Sequence, residues 1–171
     1  KPFFLYIPFN AVHWPIEQVP RYTDTYTARE AALKCLDDAV GRIMISLENH
    51  GFAEDTLLVF TNDNGGPTFG NCSSNYPLSG VKATHLEGGI RVPCIVSWPA
   101  RFKAGTTYEP PGSSLDLLPT FFAAGREDTS TLHDLDELSW RTVTASRPLA
   151  ELSSLVLNRQ PLQLVGLERG V

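Results

Sequence analysis

The first apolar stretch of the chain predicts a buried strand. From Phe3 to Phe9, aromatic and aliphatic side chains occupy both alternating faces, which is typical of a strand covered on both sides in an α/β sheet. Pro8 has no backbone N–H for a sheet ladder, so we expect the strand to end there. A loop rich in proline and aromatic residues follows.

A helical period begins near Thr27. Thr27 and Glu30 have the spacing of a capping box. Apolar residues then recur at three- and four-residue steps, which predicts an amphipathic helix; these are Ala32, Cys35, Leu36, Ala39, Val40, Ile43, Met44 and Leu47. We expect the helix to stop at Gly51, because glycine readily adopts the backbone conformation that ends helices.

A second strand is predicted from Thr56 to Thr61, and it leads into the polar, glycine-rich segment from Asn62 to Pro67. The order strand, helix, strand predicts a βαβ unit. The connection from Pro67 to Gly89 is rich in Asn, Ser and Gly. A connection of this length without regular structure is uncommon in a compact domain, which favours a functional loop.

Regular structure resumes after this loop. Val92 to Trp98 predicts a short strand. Ser114 to Phe122 predicts a helix that Gly125 terminates, in which Pro119 is tolerable only within the first turn. The pattern as a whole predicts an α/β architecture.

The chain changes character after Gly125. Tyr and Phe disappear, and Leu is frequent without a firm period. We therefore divide the chain into an α/β portion at residues 1–125 and an unassigned, divergent or poorly ordered tail at residues 126–171.

Composition narrows the classes of function. The 171 residues are 42% hydrophobic and 10% aromatic, which excludes global disorder. Fourteen Lys and Arg against nineteen Asp and Glu give a net charge of -5, so no basic surface is available for nucleic-acid phosphates, and DNA, RNA and anionic membranes are poor candidate partners. No apolar run approaches the ~20 residues that span a bilayer.

The cysteines and the first residues bear on compartment and completeness. Cys35, Cys72 and Cys94 include no C-x-x-C pair, and their odd number argues against a disulfide framework and a cysteine zinc site. The opening Lys1-Pro2-Phe3-Phe4 has neither an initiator Met nor the pattern of a signal peptide. We therefore expect an internal to C-terminal fragment of a longer protein.

Candidate metal ligands follow the second strand. Ligands bind beyond the carboxyl ends of parallel strands in an open α/β sheet, and Asp63-Asn64 occupies that place. Its carboxylate and amide oxygens are hard donors that suit Ca²⁺ or Mg²⁺. The alternative is a plain turn, because Asp, Asn and Gly are common turn residues.

Two cationic candidates could reach the same rim. His13 follows the first predicted strand, where an imidazole could bind an anion or protonate a leaving group. Lys82 lies in the long loop, where a flexible ammonium could reach an anionic group. The structural alternatives are a packed or surface histidine and a solvated loop lysine.

Other polar residues receive structural interpretations. His85 is left as structural, and Glu87 and Arg91 are expected to pair and hold the loop. Asp37 and Asp38 are interpreted as a solvated helix face. Asp116 is interpreted as helix-start chemistry.

Taken together, six ordered blocks resemble the sulfatase family of the alkaline-phosphatase-like superfamily. The resemblance covers about Lys1 to Gly125 and is closest to sulfatases acting on aryl or N-acetylhexosamine 6-sulfates. The blocks are Pro2-Phe3-Phe4-Leu5-Tyr6 with Asn10-Ala11-Val12-His13-Trp14-Pro15, Leu36-Asp37-Asp38-Ala39-Val40-Gly41-Arg42-Ile43, Thr61-Asn62-Asp63-Asn64-Gly65-Gly66, Pro77-Leu78-Ser79-Gly80-Val81-Lys82, Glu87-Gly88-Gly89-Ile90-Arg91-Val92-Pro93 with Trp98-Pro99, and Leu115-Asp116-Leu117-Leu118-Pro119-Thr120.

The resemblance implies a mixed, mainly parallel sheet flanked by helices, and roles for four residues. Asp63 and Asn64 would bind the divalent cation, usually Ca²⁺ and less often Mg²⁺. Lys82 and His13 would hold the sulfate of a sulfated small molecule or glycan and assist departure of the alcohol. A secreted, periplasmic or lysosomal location is the family expectation.

The sequence also departs from the family. Sulfatases use a formylglycine made from Cys or Ser in a C/S-x-P/A-x-R motif, which we expect to be missing here, because Cys72-Ser73-Ser74 and the contexts of Cys35 and Cys94 do not fit it. The paired Asp ligands that precede it are absent too, so we predict that this chain alone has no sulfatase activity. In the lysine block, Ser79 stands where Arg is common, and Val81 and Ala83 replace frequent glycines.

Two alternatives stay open. One is a phosphatase or phosphodiesterase of the same superfamily, which would use a Thr or Ser nucleophile. The other is a non-catalytic sulfatase-like protein that binds a partner or a sulfated glycan. The sequence does not name the substrate or the oligomeric state.

Overall fold

The computed structural model describes residues 2–22, 24–69, 73–108, 111–125 and 162–164. Its longest element is helix α1, Ala28–Asn49, with Thr27 as N-cap. The Thr27 backbone N–H donates to Glu30 Oε2 at 2.8 Å, and the Glu30 N–H donates back to Thr27 Oγ1 at 3.4 Å. Hydrogen bonds from the Thr27 hydroxyl and backbone hold the pKa of Glu30 below its ordinary value. The capping-box prediction is confirmed.

The helix ends as predicted. Gly51 has a φ of +73°, a left-handed conformation that side-chain-bearing residues rarely adopt. Its N–H donates to the Glu48 carbonyl at 3.0 Å, and the next residue, Phe52, donates to the Leu47 carbonyl at 2.8 Å. These bonds satisfy carbonyls that the last turn of the helix would otherwise leave unpaired.

The sheet is small and mixed. Its strands are β1 Leu58–Thr61, β2 Cys94–Ser97, β3 Thr106–Tyr108 and β4 Leu162–Leu164, in the order β1-β2-β4-β3. β2 is antiparallel to β1 and parallel to β4, and β4 is antiparallel to β3. The α/β class therefore holds, whereas a mainly parallel arrangement is not confirmed by these strands. β4 lies in the tail to which the sequence assigned no element; the rest of residues 126–171 lies outside the described residues.

The predicted strand from Phe3 to Phe9 is wrong. These residues lie outside every strand of the described chain, and their side chains are exposed. The Phe3 ring packs edge-on against Phe52 and the Phe4 ring packs tilted against Phe121. The βαβ prediction fails with the strand, because apolar side chains alone do not provide the neighbouring backbone that a strand must pair with.

A short helix α2, Glu87–Ile90, lies at the end of the predicted long loop. A 3₁₀ turn, Ser114–Asp116, then leads into helix α3, Leu117–Gly125. Pro119 lies in the first turn of α3, as predicted, where no intrahelical N–H is needed. The Ser113 N–H donates to Asp116 Oδ2 at 2.7 Å, which confirms the helix-start role of Asp116. Burial raises the pKa of Asp116, and the bond from Ser113 partly opposes that shift.

Asp38 corrects the expectation of a solvated helix face. Its carboxylate accepts from Lys34 Nζ at 2.6 Å, from Arg21 Nη2 at 2.7 Å and from the Tyr22 hydroxyl. The bonds from Lys34 and Tyr22 hold the pKa of Asp38 below its ordinary value. Asp37, by contrast, is exposed as predicted and meets only Lys34 within the described residues. Asp38 thus joins the segment at residues 20–22 to α1.

Burial is shallow in the described segments. Among aliphatic and aromatic side chains there, Ala31 of α1 is fully buried. Many large apolar side chains are exposed, among them Leu33, Ile45, Phe52 and Leu118. None of the helices described has the length and apolar character needed to cross a bilayer.

Candidate functional site

Two residues far apart in the sequence meet at one point of the surface. Lys82 Nζ lies 2.8 Å from His13 Nε2, although 69 positions separate them. The sequence predicted that both would reach one rim, and the structure brings them together even though the strand expected to carry His13 does not form. Their contact comes instead from the loop at residues 10–15 meeting the loop around Lys82.

The neighbouring contact defines which nitrogen of His13 carries a proton. His13 Nδ1 lies 2.6 Å from the Trp14 carbonyl oxygen, which can only accept a hydrogen bond, so Nδ1 is the donor. Nε2 then presents its lone pair to the Lys82 ammonium, and Lys82 donates.

The loop that carries Lys82 is joined to the segment after β1 by backbone and amide bonds. The Lys82 N–H donates to the Gly66 carbonyl at 3.3 Å. The Asn75 side chain bridges the same region: its Oδ1 accepts from the Gly66 N–H at 3.0 Å, and its Nδ2 donates to the carbonyls of Gly66 at 2.8 Å and Gly80 at 3.1 Å. Asn75 is a site residue that the sequence analysis missed. Its only signal in the sequence was its place in the connection from Pro67 to Gly89, which is rich in Asn, Ser and Gly.

Glycines allow these loops to approach each other closely. A methyl group added at Gly65 would lie 1.8 Å from the Gly88 carbonyl oxygen, and one added at Gly88 would lie 2.2 Å from the Gly80 carbonyl oxygen. The Gly65 N–H donates to Gly89 at 2.9 Å and the Gly88 N–H donates to Ser79 at 2.7 Å. Three chain segments can pack backbone to backbone here because no Cβ stands between them.

The residue after Lys82 holds an uncommon conformation. Ala83 has a φ of +70° and is the non-glycine residue of positive φ in the described chain. The left-handed region costs an L-residue about 1–2 kcal/mol. The resembling family frequently has glycine at this position, and glycine adopts a positive φ without this cost. The alanine therefore explains why the departure from the family is unfavourable for the backbone.

Asp63 and Asn64 follow β1, as predicted. Asp63 is exposed and Asn64 is partly exposed. Within the described residues neither side chain makes a hydrogen bond or ion pair, and none joins them to His13 or Lys82. Carboxylate and amide oxygens fit a hard cation, but two donors make only part of a six- to eight-oxygen shell. No cluster of three or more His, Cys, Asp or Glu able to hold a metal occurs in that part of the chain.

An open groove of about 480 Å³ adjoins the cationic pair. It is lined by Pro67, Thr68, Phe69, Val81, Lys82 and Ala83. The Phe69 ring meets the Trp14 ring edge-on, with centroids 6.2 Å apart. Both rings were missed as site residues in the sequence, where Trp14 appeared only as a neighbour of His13.

The expectation that the formylglycine motif is missing needs a correction. The Ser-x-Pro-x-Arg form of the motif does occur in the sequence, at Ser97-Trp98-Pro99-Ala100-Arg101. In the antiparallel β1–β2 pair, however, Ser97 is opposite Leu58, whereas Cys94 is opposite Thr61. Ser97 therefore lies at the end of β1 that is about 10 Å from the end leading to Asp63. The motif match therefore lies beside the first residue of β1, whereas the candidate site lies beyond its last residue.

The remaining polar residues have structural surroundings. Arg91 Nη1 lies 3.7 Å from Glu87 Oε2, which confirms the predicted pair. Burial raises the pKa of Cys94, with a smaller opposing effect of its bond to Thr61, so its thiol is protonated and is a poor nucleophile. Cys72 lies outside the described residues.

Comparison with known proteins agrees with the resemblance. A family model described as Sulfatase matches residues 1–125. The chain is similar to human arylsulfatase A, 38% identical over 129 residues that cover 72% of the chain and 25% of the relative. It is also similar to mouse arylsulfatase J, 36% identical over 155 residues, 84% of the chain and 25% of the relative, and to rat N-acetylgalactosamine-6-sulfatase, 36% identical over 125 residues, 70% of the chain and 24% of the relative.

A solved structure shares the fold. It is described as Ps i-CgsB in complex with k-i-k-neocarrahexaose, and it matches with a TM-score of 0.71 and 32% identity, over 79% of this chain and 32% of that chain. The chain thus spans about a quarter of the length of the curated relatives it matches.

Proposed function

The chain belongs to the sulfatase family, and we propose that it is the part of a sulfate-ester hydrolase that holds the sulfate group and protonates the departing alcohol. The observation that carries this proposal is the 2.8 Å contact between Lys82 Nζ and His13 Nε2. The contact joins two distant loops and positions the Lys82 ammonium, whose remaining N–H donors can bind an anion. The exposed position of His13 leaves that site open to a ligand from solvent.

The pair suits a sulfuryl group for an electrostatic reason. Negative charge on the oxygens of sulfate is stabilised by donors that are already positioned before the reaction. The Lys82 ammonium supplies a full charge and up to three N–H donors. Because Gly66 anchors the Lys82 backbone, the ammonium is presented from a fixed loop, which reduces the ordering needed when the substrate binds.

The same pair can supply the proton that the leaving group needs. Breaking the S–O ester bond transfers the sulfuryl group to the attacking nucleophile, which would lie outside the described residues, and leaves the bonding electrons on the alcohol oxygen. Lys82 Nζ then transfers its proton to that oxygen, directly or through His13, and water restores it afterwards. His13 Nε2 holds the proton in position beforehand, and the bond from Nδ1 to the Trp14 carbonyl keeps the imidazole in the accepting tautomer.

A cation belongs to the same proposal. Asp63 and Asn64 would hold Ca²⁺, or less often Mg²⁺, and the lack of a hydrogen bond from any described residue to their side-chain oxygens supports this assignment. The bound cation would neutralise charge on the sulfate. Its other ligands would be water, substrate or groups outside the described residues. The formylglycine nucleophile of the family would also lie outside the described residues.

The substrate class is an aryl or carbohydrate sulfate. The names of the relatives, arylsulfatase and N-acetylgalactosamine-6-sulfatase, support this class, and so does the oligosaccharide named for the structural neighbour. A secreted, periplasmic or lysosomal location follows from the same family expectation.

The test is a binding titration of the 171-residue chain with 4-nitrophenyl sulfate, followed by NMR. Lys82→Ala should weaken binding about ten- to a hundredfold, because a hydrogen bond to a charged group contributes about 1.5–3 kcal/mol. Lys103→Ala is the matched control, since Lys103 is an exposed loop lysine and its removal changes the net charge equally. The affinity of the control should be unchanged.

Two results would contradict the proposal. One is equal weakening by both lysine variants, which would indicate only a general charge effect. The other is tighter binding of 4-nitrophenyl phosphate than of the sulfate, which would favour the phosphatase alternative. A chromogenic assay of the same chain should detect no hydrolysis of the sulfate ester, because the nucleophile is expected from outside this sequence.

A further inference from the structure

Two aromatic side chains stand beside the cationic pair without belonging to a core. The Trp14 side chain is 55% exposed and the Phe69 side chain is 62% exposed. Trp14 is the residue after His13, and Phe69 lines the same groove as Lys82. The loop that supplies each cation therefore lies against an exposed aromatic ring.

The two rings are held relative to each other. They meet edge-on at an interplanar angle of 77°, with centroids 6.2 Å apart, a favourable arrangement for aromatic pairs. The edge of one ring meets a face of the other, and both side chains still expose more than half of their surface. The exposed Phe3 and Phe4 differ, because they pack toward Phe52 and Phe121 and do not line the groove.

The lining of the groove combines one cationic side chain with apolar side chains. Lys82 belongs to the lining, and its ammonium, which lies 2.8 Å from His13 Nε2, suits an anion. The rest of the lining is apolar, mainly the pyrrolidine ring of Pro67, the ring of Phe69 and the side chains of Val81 and Ala83. A ligand that fits both parts has an anionic group attached to a flat or weakly polar ring.

From this placement we infer that Trp14 and Phe69 form a leaving-group subsite, which receives the six-membered ring that carries the sulfate ester. The inference rests on the proposed function, since it takes the cationic pair as the place of the sulfate. The ring packs against the aromatic faces while its ester oxygen points toward Lys82. Trp14 and Phe69 thus determine which sulfates bind and take no part in the proton transfer.

The experiment compares two sulfates on the same chain by ligand-observed NMR titration. The probe 4-nitrophenyl sulfate has a ring, and methyl sulfate has the same anionic group without one. Trp14→Ala and Phe69→Ala should each weaken 4-nitrophenyl sulfate about two- to twelvefold, the range expected for an aromatic contact. Phe69→Ala should leave methyl sulfate unchanged. Phe52→Ala, an exposed phenylalanine that does not line the groove, is the matched control and should change neither.

The outcomes separate this inference from the proposed function. If Lys82→Ala weakens both sulfates while Phe69→Ala and Trp14→Ala weaken neither, the sulfate site stands and the subsite is disproved. If Phe69→Ala weakens both sulfates equally, the ring acts on the anion site and the subsite is again disproved. If Lys82→Ala changes neither sulfate, the proposed function itself fails. Galactose 6-sulfate in the same series tells whether a sugar ring uses the subsite as an aryl ring does.

Discussion

The segment from Phe3 to Phe9 and the loop region from Asp63 to Arg91 behave in opposite ways. The first is a run of aromatic and aliphatic residues broken only by Pro8, yet it forms no regular element and leaves Tyr6 77% exposed. The second is polar and rich in glycine, yet it is tied together by a network of backbone and amide hydrogen bonds. Apolar composition and local order are therefore separate properties here.

The difference has a physical cause. Apolar side chains gain stability from any surface that removes water, so they do not select one geometry. A hydrogen bond between backbone groups requires defined distances and angles, and glycine at Gly65 and Gly88 allows those distances to be reached. The loop region is ordered because its backbone segments come close enough to form hydrogen bonds with each other. The apolar segment lacks such a partner in the described residues.

The largest effect is expected from Gly88→Ala. The added methyl group would meet the Gly80 carbonyl oxygen at 2.2 Å and the Ser79 carbonyl oxygen at 2.9 Å. Such overpacking costs about 1–3 kcal/mol or more, and the Lys82 loop should lose its position. Urea unfolding gives the stability and amide exchange at Gly65 gives the local order. Gly41→Ala, which places its methyl group in open space within α1, is the control and should stabilise or leave unfolding unchanged.

Asn75→Ala should have the next largest effect. It removes three hydrogen bonds and leaves the Gly66 N–H and two carbonyls without their amide partner. The expected loss is about 1–3 kcal/mol, measured by urea unfolding. Asn75→Asp keeps the acceptor for Gly66 and loses both donors, so its loss should be comparable or smaller. A stable Asn75→Ala variant with unchanged amide protection at Gly66 would show that the bridge does not order the loops.

Ala83→Gly should act in the opposite direction. Glycine removes the cost of the left-handed φ, while its extra freedom in the unfolded chain returns part of that gain. The net result should be a stabilisation of up to about 1 kcal/mol in urea unfolding. Ala104→Gly, at a loop alanine without positive φ, should instead destabilise by about 0.4–1 kcal/mol. Equal signs for the two variants would contradict the conformation of Ala83.

The smallest effect is expected in the apolar segment. Tyr6→Ser removes a ring that lies mainly in solvent, so stability should change by less than about 0.5 kcal/mol. Phe4→Ser loses the contact with Phe121 and should cost about 0.5 kcal/mol more, the lower end of the range for an aromatic contact because Phe4 is largely exposed. Urea unfolding of both variants measures the contrast. A large loss for Tyr6→Ser would mean that this segment is as ordered as the loop region.

Prediction from the sequence succeeded where the physics was local. The capping box of Thr27 and Glu30, the end of α1 at Gly51 and the place of Pro119 each depend on residues within one turn. The strands β1 and β2 were found within about two residues, since short apolar runs between turns predict them. The roles of Asp63, Asn64, His13 and Lys82 remain predictions.

Prediction failed where partners lie far along the chain. Nothing near Phe3 tells whether a neighbouring strand will pair with it. The Ser-x-Pro-x-Arg match at Ser97 was overlooked in the sequence, and only the strand pairing shows that it lies at the far end of β1. The same reason explains why Asn75, Trp14 and Phe69 were missed. Each acts through contacts with segments that are distant in sequence.

The sequence by itself determined the family, the α/β class, the helix limits and the residue types able to bind an anion. Those properties follow from local periodicity, capping and motif chemistry. Only the tertiary structure decided that Lys82 meets His13, that Asn75 joins the loops and that the Trp14 ring meets the Phe69 ring of the groove. Such contacts depend on how the backbone closes over long separations, and no local pattern records the distance between two loops.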